Sequence, residues 1–491
     1  GEGFGLPIAE AMSLGIPVIT TAWGGQLDFV NSSNSWLIDY QFAYSETHFN
    51  IFSSVWAVPS VEDCSFQMKK IYNTSDFDIN VKTALAKSTI SSLTWENTVK
   101  DNIIFIKNFI QRKKIKNSHK VGWITTWNSR CGIASYSRYL IQNLITEVQI
   151  YAPIDENIIG IDEDVVTRCW DFDKPLDNLK EKIINDKITF LVIQFNYGFY
   201  DFSEFCEFLR FLNKKSISII IFFHSTKDPK INPAKKFSIL KNVLSFCDRL
   251  MVHTPRDLNR LKNLNLIDNA CLFPHGIIDF DKNDIIEKNE FSRYSSVNLF
   301  PSSKSISISS YGFCLPNKGF PELIYAIKLL RNKNLDIFLT LRTASYSDEF
   351  LWFYNELILL IKNLDLENYI TIDTNYHDDK ATLRALSNSD LIVYPYQRSN
   401  ESSSAAIRQG LASGAPVAVT PLSIFDDVKL VTYQLPGVSS EDIARGVLMW
   451  FTKGKSYQRK HINPALKDSW IKEHSYSSLG IRLQGIINSL S

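Results

Sequence analysis

Between residues 120 and 420 the chain returns repeatedly to short, β-branched, almost wholly apolar runs separated by helical patterns. KVGWIT (120–125), FLVIQF (190–195), ISIIIFFH (217–224) and RLMVHT (249–254) form a first set. SISISSYGF (305–313), LDIFLTLR (335–342), YITID (369–373), LIVYPY (391–396) and PVAVT (416–420) form a second, beyond a polar stretch at 280–304. A strand that is apolar on both faces must be covered on both, as in a parallel sheet flanked by helices. The pattern therefore predicts an α/β chain with two doubly wound, Rossmann-like domains facing one cleft. At 491 residues, 45% hydrophobic and 21% charged, the chain is globular and long enough for about three domains.

Composition closes off several functions. A net charge of +1 gives no footing for nucleic acid. The seven cysteines stand singly, without Cys-x-x-Cys or Cys/His ligand spacing, so neither a disulfide framework nor a zinc site is expected. That usage suits a reducing cytoplasm. The longest apolar runs are too short to span a bilayer, and no signal-peptide pattern opens the chain. The basic stretch RKKIKNSHK (112–120) reads first as a solvated linker and second as a peripheral contact for an acidic membrane surface.

A pattern recurs at the two ends. EGFGLPIAEAMSLGIPVIT (2–20) and ESSSAAIRQGLASGAPVAV (401–419) each open on Glu, run through loop-type residues into a short helix, and close on Gly-x-Pro-Val. Pro7 suits a first helical turn, Gly15 and Gly414 suit helix ends, and Pro17 and Pro416 forbid continuation. Trp95-Glu96 and Trp470 each precede an apolar helical stretch. One module is thus expected twice, the first copy lacking the strands that should precede its turn. The expected domains are 1–117, the truncated end of an upstream unit with its basic linker; 118–296; and 297–491, ending in a crossover helix.

The string GEGFGLPIAEAMSLGIPVI resembles the donor-binding domain of retaining GT-B glycosyltransferases of family four (glycosyl transferases group 1). In that family a Glu-x7-Glu motif binds the sugar nucleotide. Glu2 and Glu10 hold its spacing, with Gly3, Phe4, Gly5 and Leu6 forming the loop between them. Its glycines let backbone approach a ligand, and the helix N-terminus offers N–H donors to a diphosphate. In the later string Glu401 keeps the first position, Gln409 replaces the second, and Ser402, Ser403 and Ser404 replace the glycines. Glutamine still brings an acceptor oxygen, with two donors besides. GFCLPNKGFPELI (312–324) resembles the family's Gly-Arg…Lys-Gly stretch, with Phe313 in place of Arg and Lys318 retained to neutralise a leaving diphosphate. Arg342 or Arg398 is the candidate second cation. TTWNSRCGIASYSRYLIQNL (125–144), with Arg130 and Gly132, resembles the loop and helix that close over the donor phosphates. IFFHSTKDP (221–229) sets His224 at a strand end, where the family often contacts the donor sugar, while His253 and His275 read as structural.

The resemblance implies transfer from a nucleotide-sugar donor to a glycan or lipid-linked acceptor with retention, resting on Glu401, Lys318 and His224. No Asp-x-Asp ends a strand; Asp378-Asp379 and Asp426-Asp427 are adjacent pairs, so neither a metal nor another cofactor is expected. Tandem units resemble bifunctional mannosyltransferases that build lipopolysaccharide or other surface glycans from the cytoplasm, at the inner membrane face. The alternative is a nucleotide-sugar-binding scaffold, weakened at Gln409 and Phe313 and paired with an active upstream unit.

Overall fold

A computed structural model describes residues 3–47, 49, 51–112, 120–229, 232–279, 305–344, 350–399 and 401–490. The chain divides into two compact units: Gly1–His119 with Leu258–Ile267, and Lys120–Asp257 with Asp268–Leu490.

In the smaller unit α1 (Leu6–Leu14) leads to β1 (Ile19–Thr21), which pairs in parallel with β2 (Trp36–Ile38). An antiparallel pair follows, β3 (Tyr40–Tyr44) with β4 (Val55–Pro59), then α2 (Val61–Tyr72), α3 (Asp76–Ser91) and α4 (Trp95–Arg112). Its core is thin, gathering Ala9, Met12, Val18, Phe29, Val30 and Ala86.

The larger unit holds two parallel sheets. The first has seven strands: β5 (Val121–Ile124), β6 (Val148–Pro153), β7 (Val166–Trp170), β8 (Phe190–Phe195), β9 (Ser218–Phe223), β10 (Arg249–Val252) and β11 (Ala270–Leu272). They lie in the order β11-β10-β9-β8-β5-β6-β7. The intervening helices are α5 (Gly132–Gln142), α6 (Asp177–Asn185), α7 (Phe202–Lys214) and α8 (Lys241–Leu244), while α9 (Pro255–Asn263), after β10, belongs from Leu258 onward to the smaller unit. The second sheet has six strands: β12 (Ile306–Tyr311), β13 (Ile337–Arg342), β14 (Ile370–Asp373), β15 (Leu391–Tyr394), β16 (Val417–Val419) and β17 (Tyr433–Gln434), ordered β14-β13-β12-β15-β16-β17. Its helices are α10 (Phe320–Arg331), α11 (Leu351–Asn363), α12 (Asp379–Ser387), α13 (Ala405–Ala412), α14 (Ser440–Thr452), α15 (Gly454–His461), α16 (Pro464–His474) and α17 (Tyr476–Ser489).

Both sheets grow outward from their first strand in two directions. The order therefore reverses between β5 and β8 in one and between β12 and β15 in the other. In open α/β sheets such a switch point opens a crevice beyond the carboxyl ends of the strands. Strands β5, β8 and β15 are buried at every residue, which is why they read as continuous apolar runs, whereas β12 (ISISSY) and β13 are buried only in part. The apolar pattern misses β6, β7, β11 and β17. Polar Gln149, Thr167 and Arg168 break the runs of the first two, and the last two are very short.

The chain crosses between the sheets' lobes and later returns beside its outgoing path. Ile277 N–H donates to the His474 carbonyl at 2.8 Å, and Tyr476 N–H donates to the Ile277 carbonyl at 3.0 Å. Beyond this point α17 feeds Leu479, Leu483 and Ile487 into the core of the first lobe, with Trp123, Phe190 and Phe222. Burying each such side chain contributes about 1.5–3 kcal/mol. No helix among the described residues is long and apolar enough to cross a membrane.

Candidate functional site

The β5–α5 connection is bolted before it reaches the cleft. Trp127 donates its backbone N–H to Glu156 at 3.0 Å and its indole N–H to Glu163 at 2.8 Å. Arg168 grips Asp162 at 2.7 Å and Glu156 at 3.1 Å, and also donates to the Trp127 carbonyl at 3.0 Å. The Arg168 guanidinium holds Asp162 below the usual carboxylate range. This loop delivers Arg130, whose guanidinium lies 5.4 Å from the Tyr376 ring centre in the opposite lobe. It also delivers Gly132, the first residue of α5.

A Cβ placed on Gly132 would stand 3.7 Å from that of Ala405, the first residue of α13. The N-termini of α5 and α13, one from each lobe, thus meet across the cleft. Neither is capped by a side chain: Cys131 and Ser404 make no capping hydrogen bond. Helix N-termini left in that state present N–H groups and the positive end of a dipole to an anion.

Lys318 stands beside α13, delivered by the turn Pro316–Lys318 after β12. Its ammonium is buried, 4.0 Å from the Tyr396 ring centre, and the Tyr396 hydroxyl lies 3.3 Å from Ser404 Oγ. Burial alone would pull its pKa down, but Tyr396 and Glu401 outweigh burial and hold it above the ordinary lysine value. Glu401 is exposed, its backbone N–H donating to Ser399 Oγ at 3.1 Å. Lys318 and Glu401 therefore arrive on the two loops that flank the β12/β15 switch point.

The three serines have local partners. Ser402 Oγ donates at 3.0 Å to Asp257, a fully buried carboxylate of the other lobe that also accepts from Thr226 and Thr254 at 2.5 Å each. Ser403 Oγ donates to Asp427 at 2.8 Å. Ser404 begins α13 in extended conformation. The first two hydroxyls thus tie the Glu401 loop in place, a job the sequence pattern did not assign them. Gln409 donates its amide to Asp379 at 2.6 Å, and its Oε1 is enclosed without a partner. That oxygen is closed off from solvent. Arg342 pairs with Asp373 at 3.2 Å at the end of β13, while Arg398 is exposed.

His224 directly follows β9, and its Nε2 lies 2.8 Å from Gln194 Oε1. Its ring meets Tyr136 edge-on at 5.1 Å, and His253 and His275 complete the same cluster. Burial, then the neighbouring His253, presses the pKa of His224 well below 6.5, so it stands neutral and works through hydrogen bonds rather than charge.

Sequence reasoning missed Arg408, Asp427, Asp257 and the role of Asp379. Arg408 is 3% exposed and ion-paired with Asp427. The acidic doublets are engaged one by one: Asp378 caps α12, Asp379 takes Gln409, Asp426 takes Arg256 at 2.6 Å, and Asp427 takes Arg408.

In the smaller unit Gly5 begins α1 at φ 91°, a left-handed conformation that Ser404 does not share. Gly3 and Phe4 precede it, and the Phe4 ring packs 4.9 Å from Phe29. Leu6 and Glu10 are exposed on the helix. Glu2, most of the basic stretch (113–119) and the polar stretch 280–304 lie outside the described residues.

No protein-family profile matches the chain, and no curated protein matches it. Solved structures do. The chain is similar to Anabaena HepE, solved in complex with UDP, at 12% identity and a TM-score of 0.60, over 75% of this chain and 100% of that one. It is similar to a glycosyltransferase from Rickettsia africae (14%, TM-score 0.59, 76% and 99% covered). It is also similar to a sucrose-phosphate synthase from Thermosynechococcus elongatus (11%, TM-score 0.56, 76% and 99% covered). The larger unit has the fold of these enzymes: two Rossmann-like lobes facing a cleft, the GT-B architecture.

Proposed function

We propose that this chain transfers a hexosyl group from a nucleotide-sugar donor to a glycan or lipid-linked acceptor, with retention. The observation that carries this reading is the pair of uncapped helix N-termini meeting at Gly132 and Ala405, with Lys318 buried beside them. That arrangement suits a diphosphate whose negative charge grows as the glycosyl bond breaks. HepE, bound to UDP and to UDP-glucose in its structures, and trehalose-6-phosphate synthase, described for glycosyl transfer with retention, share the fold and support the reading.

In this mechanism the bond between the anomeric carbon and the donor phosphate oxygen breaks as the acceptor oxygen bonds to the same face of that carbon. The acceptor proton passes to the departing phosphate oxygen. Lys318 and the N–H groups of α5 and α13 neutralise the leaving diphosphate without a metal, Arg130 approaches it from the other lobe, and Glu401 orients the donor sugar. Neutral His224 offers the sugar a hydrogen bond. Mannose, and a cell-surface polysaccharide or lipopolysaccharide acceptor reached at the inner membrane face, are the substrates proposed from the tandem pattern.

The test is nucleotide release by the full chain from a panel of sugar nucleotides, with and without oligosaccharide acceptors. Release from one donor, reduced at least about 100-fold by Lys318→Met and by Glu401→Ala, is expected; a lost charge contact worth about 3 kcal/mol gives this factor. Binding of nucleotide without turnover under any acceptor would replace transfer by the scaffold reading. That second reading is favoured by Ser402 and Ser403, whose hydroxyls are tied to Asp257 and Asp427.

A further inference from the structure

Gln409 and Asp379 sit on different helices, α13 and α12, yet the Gln409 amide donates to Asp379 Oδ1 at 2.6 Å. The neighbour decides the choice of side chain at 409. A glutamate there would set two carboxylates against each other at hydrogen-bond distance, whereas an amide can only help. The donor must be Gln409 Nε2, because an ionised carboxylate accepts and never donates.

Asp379 is the first residue of α12, after the carboxyl end of β14 and on the rim that also carries Lys318 and Glu401. Asp378 supplies the cap of that helix by accepting from Ala381 N–H at 2.7 Å, so Asp379 is not needed for capping. Its Oδ2 takes no hydrogen bond from the described residues and is not among the enclosed unpaired atoms. The site faces the other lobe: Arg138 of α5 and Tyr476 of α17 both feel its charge. One carboxylate oxygen is thus fixed and the other is left without a donor among the described residues.

On the nucleotide-sugar reading above, on which this inference rests, we propose that Asp379, oriented by Gln409, is the carboxylate that accepts hydrogen bonds from the ribose hydroxyls of the donor nucleoside. A single acidic side chain at a strand-to-helix turn is a general solution for holding ribose hydroxyls in Rossmann-like domains. The substitution at 409 is then a relocation of charge from α13 to α12. Gln409 is a positioning residue, and Asp379 determines specificity.

Calorimetric titration of the full chain tests this with UDP, GDP and ADP, and then with the 2′-deoxy and 3′-deoxy forms of whichever binds tightest. A site built to bond a hydroxyl rejects the analogue lacking it, here by roughly tenfold or more. Asp379→Asn should weaken the ribonucleotide about tenfold and bring the deoxy forms to within about twofold of it. Gln409→Glu alone should weaken binding at least about tenfold, through repulsion against Asp379. The exchange Asp379→Asn/Gln409→Glu should recover affinity to within about threefold, because it restores one carboxylate and one amide. Asp379→Ser, which keeps a helix-initiating side chain, separates loss of folding from loss of recognition and should behave as Asp379→Asn does. Unchanged ribose discrimination in a folded Asp379 variant, or a Gln409→Glu chain that binds as tightly as the parent, would overturn the inference and leave the function reading standing. Failure of all three diphosphates to bind the parent chain would overturn both.

Discussion

Arg408 carries its charge to a place that water does not reach. Its Nη2 donates to Ser403 at 2.9 Å and pairs with Asp427, whose side chain is 4% exposed, while Nε and Nη1 have no hydrogen-bond partner among the described residues. Desolvation of such a pair cancels much of its attraction, but removing one partner strands the other. Asp427→Ala should therefore cost about 3–5 kcal/mol in urea unfolding, while Arg408→Met added to it should recover part of that loss. Strictly additive costs would show that the two charges do not depend on each other. At this scale the sequence was partly legible. Lys318 and Glu401 could be placed on the rim of one sheet because each follows a strand legible in the sequence, SISISSYGF (305–313) and LIVYPY (391–396). Arg408, between Ile407 and Gln409, carries no such flag: its partner lies 19 residues on, in the Ser423–Val431 segment. The Gln409–Asp379 contact was hidden for the same reason, since nothing along the chain links α12 to α13.

Among the elements, the turn that presents Lys318 leaves no room for a side chain at its glycine. Gly319 sits at φ 76°, and a Cβ there would meet the Pro395 carbonyl oxygen at 1.9 Å. Left-handed strain alone costs about 1–2 kcal/mol for a residue with a side chain. The collision adds backbone displacement, so Gly319→Ala should lower nucleotide release at least about tenfold as Lys318 shifts. Gly414, at φ 84° with open space around its Cβ position, is the matched control. Gly414→Ala should cost about 1 kcal/mol and leave turnover within about twofold. Equal turnover in the two variants would detach Lys318 placement from this turn. The apolar runs disclosed the central strands because burial on both faces writes itself into consecutive residues. The edge strand β7 escaped because its middle residue, Arg168, is polar for a local purpose, gripping Glu156 and Asp162. Resemblance at α13 suggested a glycine loop replaced by serines, but only the structure shows those hydroxyls tied to Asp257 and Asp427.

Over the whole molecule, acid is the predicted weakness. His253, His275 and His474 are buried near the junction of the lobes and His224 is half-buried beside them, and all four have depressed pKa values. Burial is the first cause throughout; Arg408 adds to it at His253, His275 and His474, and His474 is pushed down to about 3. A histidine held neutral in the fold contributes stability that is full above its unfolded value of about 6.5 and is lost as pH falls below it. Near pH 5 unfolding should take up protons at these sites, about one of them at His474, so stability falls with acid at a slope of at least about 1.4 kcal/mol per pH unit. His474→Gln should remove about 1.4 kcal/mol per pH unit from that slope. Denaturant unfolding between pH 7.5 and 5 reads both values, and a flat profile would mean that the histidines are not buried as neutral groups.

The return of α17 to the first lobe bears on how the chain is made. Residues 121–272 leave the ribosome before the second lobe does, yet their core stays open on one side until Leu479, Leu483 and Ile487 arrive. The second lobe draws its sheet and most of its helices from residues 306–474 and can close ahead of it. The half synthesised earlier is thus the half completed later, and every nascent chain passes through a stage in which the apolar ground beneath α17 is bare. Loss of α17 would strike the first lobe, the earlier made of the two and the farther from it in sequence.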